Sequence, residues 1–187
     1  MATRWEALFA DLETQAVALD TAERAVEVEE RTRIEVGRIR LLDRLRPAVG
    51  ADVRLRCTGD RGVAGRLVRV GPDWLLVIEE AGREAVVVTA GVLSVSGLGR
   101  ISAIPESESV VESRLGLRHA LRGIARDRSP VRISLFDGTI VDGTIDRLGA
   151  DFVEIAQHPA GEPRRRDQVR EVAVVPLSAL AVVRRRT

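Results

Sequence analysis

The chain has 187 residues, 45% hydrophobic and 30% charged, which suits one ordinary domain or two small ones and excludes a disordered composition. Its 29 basic residues, all arginine, are nearly cancelled by 28 acidic ones to a formal charge of +1. This excludes a molecule-wide electrostatic footprint for nucleic acid or anionic membrane and leaves only local basic sites.

The opening "MATRWEALFADLE" mixes acidic with apolar residues and lacks the apolar core of a secretory signal, and nowhere do eighteen apolar residues run together. A cytoplasmic location without membrane insertion is the expectation. Arginine without lysine, beside abundant Ala and Val, points to GC-rich codons and a bacterial source. Trp5, Leu8, Leu12, Leu19, Ala22 and Val26 follow a 3,4 spacing that fails at "EVEERTR", so residues 1–28 read as one amphipathic helix. Trp5, Leu8, Phe9 and Leu12 give this helix a large apolar surface that must pack on something, which makes it a candidate interaction helix.

From residue 31 onward the chain contains a repeat. A shift of 78 positions lays Val53-Arg54 on Val131-Arg132, Val63 on Val141, Gly65 on Gly143, Arg69 on Arg147, Gly71 on Gly149 and Asp73 on Asp151 without a gap. The later stretches "EAVVVTAGVLSVS" (84–96) and "EVAVVPLSALAVV" (171–183) realign after a nine-residue insertion within "HPAGEPRRRDQVR". In each copy the apolar residues alternate in short β-branched runs bounded by Gly, Asp and Pro, the pattern of half-buried strands, about five per copy. Asp137-Gly138 suits a tight hairpin turn, whereas Gly65 and Gly143 fall inside a strand and permit a sharp bend or close backbone approach. A helical segment precedes each copy: "RTRIEVGRIRLLDRLRP" (31–47), and "SESVVESRLGLRHALRGIARD" (107–127) with a capping box at Ser109 and Glu112 and a stripe of Val110, Leu117, Leu121 and Ile124.

Helix, strand, Asp-Gly turn, glycine-centred strand, Asp-aromatic strand and two final strands together resemble the Sm and LSm proteins, including bacterial Hfq. The likeness covers residues 31–98 and 107–186, and is better in the second copy through "VRISLFDGTIVDGTIDRLGADFVEIA" and "VVPLSALAVV"; other small five-stranded barrels share the hydrophobic spacing. It implies an α+β fold of two small five-stranded Sm-like β-barrels, each preceded by a helix, plus the N-terminal amphipathic helix. The expected domains are 1–28, 29–98, a linker 99–106, and 107–187 with a basic tail. The resemblance also implies a base-stacking aromatic, here Phe152 or Trp74, but the family's asparagine slot holds Glu154 or Leu76, and the Hfq histidine slot holds Ser178 or Gly91. The family's RNA pocket is therefore incomplete, and fold likeness alone does not assign RNA binding.

Little else in the chain suggests chemistry. Cys57, the only cysteine, excludes a disulfide within the chain and a cysteine-based zinc site, and it aligns with Leu135 on a strand as a small buried hydrophobe. His119 and His158 lack neighbours of metal-ligand spacing, and Glu79, Glu80, Asp137, Asp142, Asp146 and Asp151 read as solvated turn or outward-facing residues. Neither a phosphate-binding loop nor a nucleophile elbow occurs, so no enzyme, no cofactor and no metal is expected. The arginines remain: Arg164, Arg165 and Arg166 in the insertion, and Arg184, Arg185 and Arg186 at the end, could with Phe152 track a nucleic-acid backbone. The expected function is a non-enzymatic protein-interaction or assembly module that binds a protein partner or itself, with RNA or single-stranded nucleic-acid binding as the alternative.

Overall fold

The computed structural model describes residues 12–15, 24, 27, 29–103, 115–158 and 171–186. The chain divides into two compact units, residues 1–40 and 41–187. In the first, residues 12–15 and 29–38 (α1) are helical. Exposed pairs one turn apart, Arg31 with Glu27 at 2.7 Å and Arg38 with Glu35 at 3.5 Å, each add a few tenths of a kcal/mol at most to such a helix. Leu12 is half exposed, while Trp5, Leu8 and Phe9 lie outside the described residues.

The second unit begins with a short helix, α2 (Leu41–Leu45), and a 3-10 turn at Arg46–Ala48. The helix expected over 31–47 is thus interrupted at Ile39-Arg40. Arg44 donates to the carbonyls of Arg100 (2.7 Å) and Ile101 (3.2 Å), and the Ala103 amide donates to the Asp43 carbonyl (2.7 Å), so residues 99–103 are tied down to α2.

Ten strands follow: β1 (Asp52–Cys57), β2 (Val63–Val70), β3 (Trp74–Glu79), β4 (Glu84–Val88), β5 (Val92–Ser96), β6 (Pro130–Leu135), β7 (Ile140–Leu148), β8 (Phe152–Gln157), β9 (Glu171–Pro176) and β10 (Leu180–Arg185). A helix, α3 (Leu117–Arg126), stands before β6. Its first amide, on Leu117, donates to Asp73 Oδ1 at 2.7 Å, so the cap comes from the β2–β3 turn. The capping box expected at Ser109 and Glu112, and Val110 of the stripe, lie outside the described residues. Leu117 and Leu121 are buried in the core, with Ile124 packed against it.

The repeat holds down to the hydrogen bonds. Each copy has the same strand order, 5-1-2-3-4 and 10-6-7-8-9. The bulge between Leu67 and Arg69 in the first recurs between Ile145 and Arg147 in the second. Gly65 and Gly143 are needed for close approach rather than a turn. A Cβ at Gly65 would strike the Ile78 carbonyl, and one at Gly143 the Ala156 carbonyl. The insertion is ten residues, not nine: Trp74 pairs with Val88 and Phe152 with Pro176, so the later strands are related by 88 positions.

The expected pair of separate five-stranded barrels is corrected by the sheet. All ten strands form one antiparallel sheet, β5-β1-β2-β3-β4-β10-β6-β7-β8-β9, which is not closed into a barrel. The two copies meet where β4 pairs with β10: Val87 faces Val182, Val86 faces Val183 and Ala85 faces Arg184. The reason is visible in β4, which is apolar on both faces. Ala85 and Val87 enter the first copy's core, while Val86 and Val88 enter the second's; conversely, Leu180 and Val183 of β10 face their own core, and Ala181 and Val182 the first. Strands buried on both faces read as continuous apolar runs. Leaving Val86 and Val88 in water would forfeit roughly 1.5–3 kcal/mol per side chain, so β4 takes a neighbour on each side.

Candidate functional site

The junction between the copies, which we call the seam, carries a buried ion cluster. Arg184, near the end of β10, reaches across to the first copy, where its Nη1 and Nη2 donate to Asp60 Oδ2 (2.6 Å) and Oδ1 (3.0 Å). Its Nε donates to Glu79 Oε2 at 3.1 Å, and Nη2 also reaches the Gly62 carbonyl at 2.9 Å. The Ser134 hydroxyl of β6 donates to Asp60 Oδ2 at 2.6 Å, and the Gly62 amide to Oδ1 at 2.9 Å. Only 18%, 5% and 9% of the Arg184, Asp60 and Glu79 side chains is exposed, so each charge depends on the others for its solvation.

Burial opposes ionisation of Asp60. The hydrogen bonds from Arg184 and Ser134 and the Arg184 charge outweigh it, holding the carboxyl below its ordinary value. Burial likewise works against the Arg184 cation, and its bonds to Asp60 and Glu79 overcome this and raise it above the usual arginine value. Beside the cluster, burial and the Asp60 charge push the Cys57 thiol up to about 11, which leaves it an inert core residue.

Above the cluster lies a cleft of ≈ 850 Å³ bordered by Arg61, Arg83, Arg132 and Ile140. Arg132 is held bidentately by Asp142, with Nε and Nη2 both at 2.9 Å. Two of the carboxylates read from sequence as solvated, Glu79 and Asp142, are therefore committed to arginines. The first copy's 58–62 loop comes close enough to the β6–β7 turn that a Cβ at Gly59 would strike the Leu135 carbonyl.

The remaining candidates are dispersed. Arg184 is turned inward onto Asp60 and Glu79 and borders the cleft. Arg185 pairs with Glu84 at 3.4 Å and Asp127 at 3.8 Å, and Arg186 lies 4.0 Å from Asp142. Phe152 is half buried, its ring against Gly149, as the Trp74 ring lies against Gly71. Arg164, Arg165 and Arg166 lie outside the described residues. Glu154 sits 3.7 Å from Arg147, and His158 is buried with its Nε2 2.9 Å from the Thr144 hydroxyl. Among the described residues no helix is long and apolar enough to cross a membrane.

Sequence reading missed Asp60 and Glu79 as partners of Arg184, although a signal was present. Under the repeat relation Asp60 stands opposite Gly138, Glu79 opposite Gln157, and Arg184 opposite Ser96, so the copies differ at three charged positions that meet in space.

The two ends of the sheet repeat the seam's strands without its partner. β9 is the equivalent of β4, and β5 of β10, yet among the described residues each pairs on one side only. Val86, 5% exposed at the seam, corresponds to Val174, 62% exposed; Ala181, fully buried, corresponds to Leu93, 66% exposed. No model of a known protein family matches the sequence, and no curated protein matches it.

Proposed function

We propose that the chain is a non-enzymatic assembly module that joins to further copies of itself by pairing β9 of one chain with β5 of the next. The observation that carries this reading is the contrast between the seam and the ends. The residues that insert into a neighbouring core at β4 and β10 have counterparts on β9 and β5 that face solvent. An unpaired edge bearing exposed apolar side chains attracts another strand, because its amides and carbonyls still lack partners. Ser94, Val95 and Ser96 would face Val175, Val174 and Ala173, in the register of the seam. A cytoplasmic setting fits this reading, since Cys57 is a free, buried thiol.

The test is the mass of the full chain by sedimentation and light scattering from micromolar to hundreds of micromolar. Masses above 20.4 kDa that return to the monomer value in Val174→Lys and in Leu93→Lys support the proposal. A monomer at every concentration overturns it.

A further inference from the structure

We infer that the seam's ion cluster is a sorting device, which reserves β4 for β10 and leaves β5 and β9 for each other. This rests on the self-association proposed above and adds the rule that governs it. Four junctions are conceivable when copies meet edge to edge: β4 with β10, β9 with β5, β4 with β5, and β9 with β10. The first is the seam, where Arg184 satisfies Asp60 and Glu79. The second is neutral at the equivalent places, with Ser96 for Arg184, Gln157 for Glu79 and Gly138 for Asp60.

Each of the two mixed junctions strands a charge. β4 against β5 would bury Asp60 and Glu79 opposite Ser96, leaving both carboxylates without the guanidinium that holds them at the seam and Glu79 with the exposed Arg83 at 3.9 Å. β9 against β10 would bury Arg184 opposite Gln157 and Gly138, leaving a guanidinium without the two buried carboxylates of the seam, with the exposed Glu171 beside Gln157. A buried ion stripped of its partner is strongly destabilising, whereas a neutral edge has nothing to strand. The two copies must therefore alternate along any assembly, and like never meets like. Arg56, which takes the place of Ser134 in the first copy, already puts one cation beside the β5 edge and makes a second one there harder to accommodate.

The experiment moves the seam's cation to the outer edge. Ser96→Arg gives β5 the charge of β10 and should weaken self-association at least about 100-fold in sedimentation equilibrium, the cost of an unpaired buried charge. The neutral Ser96→Gln should assemble as the parent does. Adding Gln157→Glu to Ser96→Arg supplies the missing carboxylate and should recover tenfold or more of the lost affinity. Circular dichroism melting of each variant checks that residues 41–187 remain folded. Parent assembly that is blocked by Val174→Lys yet indifferent to Ser96→Arg overturns the sorting rule alone. Loss in Ser96→Arg that Gln157→Glu does not relieve also overturns it, and a parent chain monomeric throughout overturns the self-association and this inference together.

Discussion

Arg184 holds two carboxylates that belong to the other copy, so its removal should cost far more than a surface ion pair. Arg184→Ala leaves Asp60 buried without its guanidinium partner and Glu79 with the more distant, exposed Arg83 at 3.9 Å, and a loss of roughly 3–5 kcal/mol in urea unfolding is expected. A loss below about 1 kcal/mol would mean that water reaches the cluster freely. The acid side follows from Asp60. Its carboxyl is held below the unfolded value, so its contribution is complete above about pH 4 and disappears as the pH falls through the lower folded value. Asp60→Asn should be less stable than the parent at neutral pH but lose less as the pH falls below about 4; identical acid slopes would assign the acid sensitivity to other groups. Gly143 was legible in the sequence as a strand glycine, and its use is concrete: a Cβ there meets the Ala156 carbonyl. Gly143→Val should cost a few kcal/mol in thermal melting, since backbone rather than a flexible side chain would have to give way.

Identical strand chemistry has opposite consequences at the seam and at the edge. Val86→Lys and Val174→Lys change equivalent positions, one inside the neighbouring core and one in solvent. The first should unfold residues 41–187 or lower their melting point steeply, and the second should leave the melting point within a few degrees. Equal destabilisation by the two would show that β9 is already covered within the chain. Elements of this kind were readable from sequence because they are local. Alternating apolar residues, Asp137-Gly138 with Asp137 accepting from the Thr139 amide at 2.8 Å, and the 78-residue shift all depend on neighbours in the chain. The insertion was misjudged by one because Glu84 and Glu171 align by identity, whereas the pairing with β3 and β8 places Glu84 opposite Val172 in the repeat. The choice of partner for β4 was not readable at all. Every hairpin ends in an edge, and which edge meets which is decided by apolar residues on both faces of two strands nearly a hundred positions apart.

Sharing β4 and β10 makes the two halves of the sheet a single thermodynamic object rather than beads on a string. Val86 and Val88 belong to the second core, and Ala181 and Val182 to the first, so neither core can open without exposing part of the other. Separate barrels would behave differently, each unfolding at its own midpoint. Cys57 offers a direct probe, since it is the only thiol, lies in the first copy's core, and with its ionisation pushed up to about 11 reacts only when that core opens. Ile133 is fully buried in the second copy's core. Ile133→Ala should cost about 2–5 kcal/mol through the lost side chain and its cavity. If opening is shared, labelling of Cys57 by a thiol reagent in moderate urea must accelerate by roughly 30-fold or more in Ile133→Ala, because the open population rises by the whole change in stability. Unchanged labelling, with the second half alone melting earlier by circular dichroism, would mean that the halves open independently and that the β4–β10 pairing does not couple them.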